Sequence, residues 1–135
     1  MFDAIDHLGI AVAAIDPALV TYRETFGMEL VHREEIPEHG IEVAVLEAGT
    51  GHVELVAPLS EASALSRFLA ERGPGLHHVA YRVADIDATL DDLRARHVEL
   101  LDEHARRGVR DTRIAFLHPH ASGGVLTEIV ESARA

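Results

Sequence analysis

With 135 residues, 47% of them apolar, and no cysteine, the chain can build one compact core but not two ordinary independent domains; disulfides, thiolate nucleophiles and Cys-based zinc sites are excluded. Its formal charge of −11 argues against non-specific nucleic-acid binding, which needs a basic surface to displace counterions from phosphates. No apolar run approaches membrane-spanning length and the amino terminus lacks a signal-peptide pattern, so a cytoplasmic enzyme or binding protein with no membrane partner is the expectation.

Residues 4–12 are apolar and β-branched enough for a buried strand, on which His7 shares a face with the small residues Gly9 and Ala11. A helix follows, with Asp16 as its expected N-cap, Pro17 in the first helical position and Gly27 just past its end. Strands are expected over 28–35, 41–48 and 52–57, separated by the turns Pro37-Glu38-His39-Gly40 and Gly49-Thr50-Gly51. A linking helix over 60–72 stops at Gly73-Pro74-Gly75. Beyond it the pattern predicts a strand over 76–83, a helix over about 87–97, a strand over 98–102, a loop over 103–111, and strands over 112–117 and 124–131. The fold class is therefore α+β, two tandem βαβββ modules over about 4–58 and 75–131 within a single domain spanning residues 1–135.

The modules are copies. Ile5 to Asp16 lies over Leu76 to Asp87 without a gap, His7 on His78 and Val12 on Val83, at an offset of 71 residues. The same offset carries Val43-Ala44-Val45-Leu46 onto Ile114-Ala115-Phe116-Leu117, and three extra residues later Glu54 falls on Glu128. A lone strand His is ordinarily a core or surface His, and a lone strand Glu faces solvent. Here, however, each Glu is embedded among apolar neighbours, where a charge is costly unless it is paired or bound to metal. His7, Glu54, His78 and Glu128 thus form a candidate site for one divalent metal, and imidazole with carboxylate suits Co, Mn, Zn, Ni or Fe. Arg106, Arg107, Arg110 and Arg113 crowd into eight residues; the plain reading is a solvated loop, the alternative a site for a phosphate or carboxylate. His118 and His120, around Pro119, are candidates for a cavity mouth.

The whole chain resembles the vicinal-oxygen-chelate superfamily, which includes glyoxalases, bleomycin resistance proteins and dioxygenases, and within it most closely the methylmalonyl-CoA epimerases. The resemblance rests on Ile5 to Val12, Pro37 to Ile41, Val53-Glu54-Leu55, Gly75 to Ala80, and Phe116-Leu117-His118-Pro119 followed by Gly123 to Glu128. It implies a cupped mixed sheet around a metal held by His7, Glu54, His78 and Glu128, with Glu128 the better-supported catalytic base. It also implies an acyl-CoA substrate and a homodimer. The implied reaction interconverts (R)- and (S)-methylmalonyl-CoA through a metal-stabilised enolate; glyoxalase I and a non-catalytic binding protein of the same fold are the alternatives. Three positions depart from the family pattern. Val43 stands where some epimerases have a catalytic Glu, and Glu42 would face the site only through a bulge. Gly108 to Asp111 replaces a Gly-Ala-His-Gly loop, and His120 replaces a Lys.

Overall fold

The computed structural model of the chain describes residues 1–133. Its strands are β1 Ala4–Ala11, β2 Glu29–Ile36, β3 Ile41–Ala48, β4 Gly51–Pro58, β5 Gly75–Arg82, β6 Arg106–Arg107, β7 Arg113–Leu117 and β8 Thr127–Glu131. The helices are α1 Ile15–Leu19, running on into a π turn over Val20–Thr25, α2 Ala64–Arg72 and α3 Ile86–Ala95. Hydrogen bonding orders the strands β2-β3-β4-β1-β5-β8-β7-β6, with β5 and β8 parallel and the β2-β3-β4 and β6-β7-β8 ladders antiparallel, which is the mixed sheet of an α+β fold.

The chain divides into two compact units, one of Leu8–His77 and one of Met1–His7 with the chain from His78 onward. Inside the first, the two-residue strand period sends Ala44, Leu46, Val53, Leu55 and Ala57 to one face, where they pack with Ile15 and Leu19 of α1. Glu54 lies on the other face, directly across from Val45. Inside the second, Ala115, Leu117 and Ile129 pack with Ile86, Leu90 and Leu93 of α3, and Ala80, Ile114, Phe116 and Val130 cluster on the opposite face. Glu128 lies directly across from Phe116, so the pairing Val45 to Glu54 recurs in the second unit at the places the sequence repeat assigns.

The two helices that follow β1 and β5 start in register and end one residue apart. In α3 the chain closes with a Schellman turn, His97 N donating to Arg94 O and Val98 N to Leu93 O, five residues back. After α1 the matching bond runs six residues back, from Met28 N to Tyr22 O. The extra residue is absorbed as the π turn. Gly27 takes the left-handed conformation that ends the first helix, at φ 71°, whereas the equivalent His97 takes it at φ 61° with a side chain in place. His97→Gly should therefore stabilise the protein by about 0.5–1 kcal/mol, read as a rise in Tm.

Several sequence expectations change here. Asp16 is not the N-cap of α1; Ala14 holds that place without a side-chain cap bond, and Asp16 sits in the first turn, paired with Arg33 Nη1 at 2.6 Å. The repeat mate of Ala14 is Asp85, and there the carboxylate does cap, accepting from Ala88 N at 3.0 Å. The strand expected over 98–102 is reduced to an isolated bridge between Leu100 and Leu117. The cause is local: Leu101 N and Asp102 N both donate to Phe116 O, and Phe116 N donates to the Asp102 carboxylate instead of a backbone carbonyl. Pairing resumes only at Arg106–Arg107. The linking helix begins at Ala64, capped by Ser63, whose Oγ accepts from Leu65 N.

Candidate metal centre

The second unit brings together three of the four residues marked by the repeat. His7 on β1, His78 on β5 and Glu128 on β8 are 3%, 5% and 5% exposed, and offer ligand atoms that lie within 4.8 Å of one another. His7 Nε2 stands 3.0 Å from His78 Nε2 and 3.1 Å from Glu128 Oε1, and His78 Nε2 stands 3.8 Å from the same oxygen. Ligands bonded at about 2.1 Å on adjacent corners of an octahedron stand about 3.0 Å apart, so the spacing of the two imidazoles fits a shared six-coordinate cation.

The proton inventory leads to the same place. His7 Nδ1 lies 2.8 Å from Asp6 Oδ2, and an ionised carboxylate only accepts, so the ring proton sits on Nδ1 and Nε2 turns a lone pair inward. That lone pair meets the Glu128 carboxylate, whose lone pairs repel it. A proton or a metal cation held among these atoms removes that repulsion. The surroundings are apolar: the His78 ring meets Phe116 edge-on, centroids 5.5 Å apart, and Ala80, Ile114 and Val130 cluster beside it. A charge placed there is poorly screened, which strengthens every electrostatic interaction in the site.

Glu54, the fourth marked residue, is 8% exposed on β4 in the other unit. In that same unit Glu42 is not turned by a bulge. It keeps regular pairing with Glu35 and Ala57, lies on the face opposite Val43, and accepts from Arg33 Nε at 3.0 Å, so it is committed to an ion pair. The irregularity in that ladder falls instead between Leu30 and His32.

The arginine-rich loop spends most of its charge locally. Arg113 makes two parallel bonds of 2.9 Å to the Asp87 carboxylate, which raises the guanidinium pKa and lowers that of the carboxyl. Arg107 pairs with Asp111 at 2.9 Å. Sequence spacing gave no sign of the partner of Arg113, because Asp87 lies on α3, 26 residues away. His118 and His120 form a second group of possible ligands with Glu99, exposed or half-exposed. His118 Nδ1 already accepts from His120 N, which places the ring proton on Nε2, the nitrogen that faces Glu99 at 3.9 Å. A cation there would have to displace that proton and the cap.

A family model described as Glyoxalase/Bleomycin resistance protein/Dioxygenase superfamily matches residues 6–116. An uncharacterised Bacillus subtilis protein is 37% identical over 127 residues, 94% of this chain and 91% of that one. The mitochondrial methylmalonyl-CoA epimerase of Bos taurus is 32% identical over 129 residues, 95% of this chain and 74% of that one. Among solved structures, a methylmalonyl-CoA epimerase from Mycobacterium tuberculosis is 44% identical with a TM-score of 0.94, covering 98% of this chain and 90% of its own. A Streptomyces coelicolor methylmalonyl-CoA epimerase variant in complex with 2-nitronate-propionyl-CoA is 40% identical with a TM-score of 0.95, covering 99% and 100%. No helix among the described residues is long and apolar enough to cross a membrane.

Proposed function

We propose, since the chain belongs to the glyoxalase/bleomycin resistance protein/dioxygenase superfamily, that it is a metal-dependent enzyme which epimerises methylmalonyl-CoA or a close 2-methyl acyl-CoA. The buried convergence of His7, His78 and Glu128 carries this reading, because a fold of this kind used only to sequester a ligand needs no such set. Glu54 joins them as the fourth ligand on the strength of the repeat, its pairing with Val45 matching that of Glu128 with Phe116. When bound, a divalent cation supplies Lewis-acid stabilisation of the negative charge that develops on the thioester oxygen.

The chain supplies the rest. Glu128 accepts the proton from C2 as the C–H electron pair moves into the thioester, and the apolar cluster of Ala80, Ile114, Phe116 and Val130 excludes water from the carbanion. Inversion also requires delivery of a proton to the opposite face of C2. Val43 carries no proton to transfer, and Glu42 is held by Arg33, so neither acts as that second group.

Metal analysis of the purified protein, followed by deuterium wash-in at C2 of methylmalonyl-CoA, tests the proposal. Fast, metal-dependent exchange with interconversion of the epimers is the expected result. Metal-loaded protein that exchanges nothing, yet turns over the methylglyoxal–glutathione adduct, would move the assignment to glyoxalase I.

A further inference from the structure

Of the four clustered arginines, Arg106 alone is placed by strand register on the face that carries the metal-site residues. It pairs with Ile114, whose side chain belongs to the cluster of Ala80, Val130 and Phe116, while its neighbour Arg107 pairs with Arg113, and Arg113 reaches Asp87 of α3 on the helix-covered side. The Arg106 guanidinium carbon sits 5.8 Å from the centroid of the Phe116 ring, and the His78 ring meets that same phenyl group at 5.5 Å. Phe116 therefore has a candidate metal ligand against it and a cation over it, and Phe116 itself lies directly across from Glu128. The Arg106 side chain is 40% exposed, reachable by a ligand from solvent.

Its orientation is prepared. Asp102 stands 3.2 Å from Arg106 Nε, and the same carboxylate accepts from Phe116 N at 2.8 Å, so one residue holds both the arginine stem and the strand beneath it. The ion pair with Asp102 lies on the Nε edge, and the two terminal amino groups of a guanidinium form a fork that matches a carboxylate or a phosphate in two parallel bonds. The cation–π contact with the phenyl ring holds the guanidinium near Phe116 without using a donor.

We infer that Arg106 binds an anionic group of the substrate beside the metal site and selects for acyl-CoA substrates that carry it, the free carboxylate of the malonyl unit. This rests on the acyl-CoA reading given above. The same chemistry would serve a CoA phosphate, and the choice between the two is open to direct measurement.

Dissociation constants of the metal-loaded full chain, measured by calorimetry, decide it with three ligands: methylmalonyl-CoA, propionyl-CoA, which lacks the carboxylate, and methylmalonyl-pantetheine, which lacks the CoA phosphates. Arg106→Gln should weaken methylmalonyl-CoA and methylmalonyl-pantetheine about 10- to 100-fold, the loss of a charge-assisted bond, and leave propionyl-CoA within about threefold. Arg113→Gln should leave all three unchanged, and metal content should stay at the wild-type value in both variants. Weakening of both CoA esters with methylmalonyl-pantetheine spared would assign the contact to phosphate. All three ligands within about threefold of wild type in Arg106→Gln would overturn the inference while the acyl-CoA reading stands. A wild-type protein that binds none of the three would overturn that reading and this contact together.

Discussion

His7→Ala and His78→Ala should each abolish stoichiometric metal, with the content per chain falling more than about tenfold as read by elemental analysis of dialysed protein. The two Nε2 atoms are 3.0 Å apart and share one carboxylate oxygen, so deleting either ring removes one corner of a preformed set and leaves the other ring facing a cavity. The two histidines differ in how they are held. His7 is tied through Nδ1 to Asp6, whose repeat mate is His77, a residue that packs against Phe68. Asp6→Asn should therefore lower metal affinity by only about 10- to 100-fold, the range for a partner that orients a ligand. One metal per chain in both alanine variants would refute the site; an effect of Asp6→Asn as large as that of His7→Ala would place Asp6 among the ligands.

The buried triad was legible in the sequence because a duplication is a structural statement before any fold is known. Residues repeated at one offset occupy equivalent places, and equivalent places in paired strands fix which face a side chain takes. Hence His7, His78 and Glu128 were found together with no knowledge of the path between them. What escaped was decided by partners far away in sequence or by single-residue irregularities. The one-residue difference between the helices is hidden because the π turn absorbs it before the offset resumes. Asp16 and Asp85 look alike as helix starters, yet Asp16 sits inside the first turn, where Arg33 engages it, and only Asp85 stands at the N-cap position. The strand at 98–102 failed because Asp102 has a carboxylate that competes for Phe116 N, a choice that apolar patterning does not register. The arginine cluster divided for the same reason as the strands: adjacent residues on β6 face opposite sides, so Arg106 and Arg107 have different surroundings despite identical chemistry.

Glu128→Gln is expected to have the largest effect on turnover. The substitution keeps the shape of a side chain that is 5% exposed, packed on β8 across from Phe116 and alongside Ala80 on β5, so the fold should survive. It removes both the negative charge and the proton acceptor. A neutral amide is also the weaker metal ligand, so the comparison belongs at saturating metal, with occupancy measured in the same samples. At equal occupancy, deuterium exchange at C2 should fall about 10²- to 10⁴-fold, the usual contribution of a positioned acid or base. An equal loss in kcat and kcat/KM, with little change in the dissociation constant of propionyl-CoA, would mark a group that acts in the transition state and not in substrate binding. Exchange within about threefold of the wild type at full metal occupancy would remove Glu128 from the proton path and leave it as a ligand only.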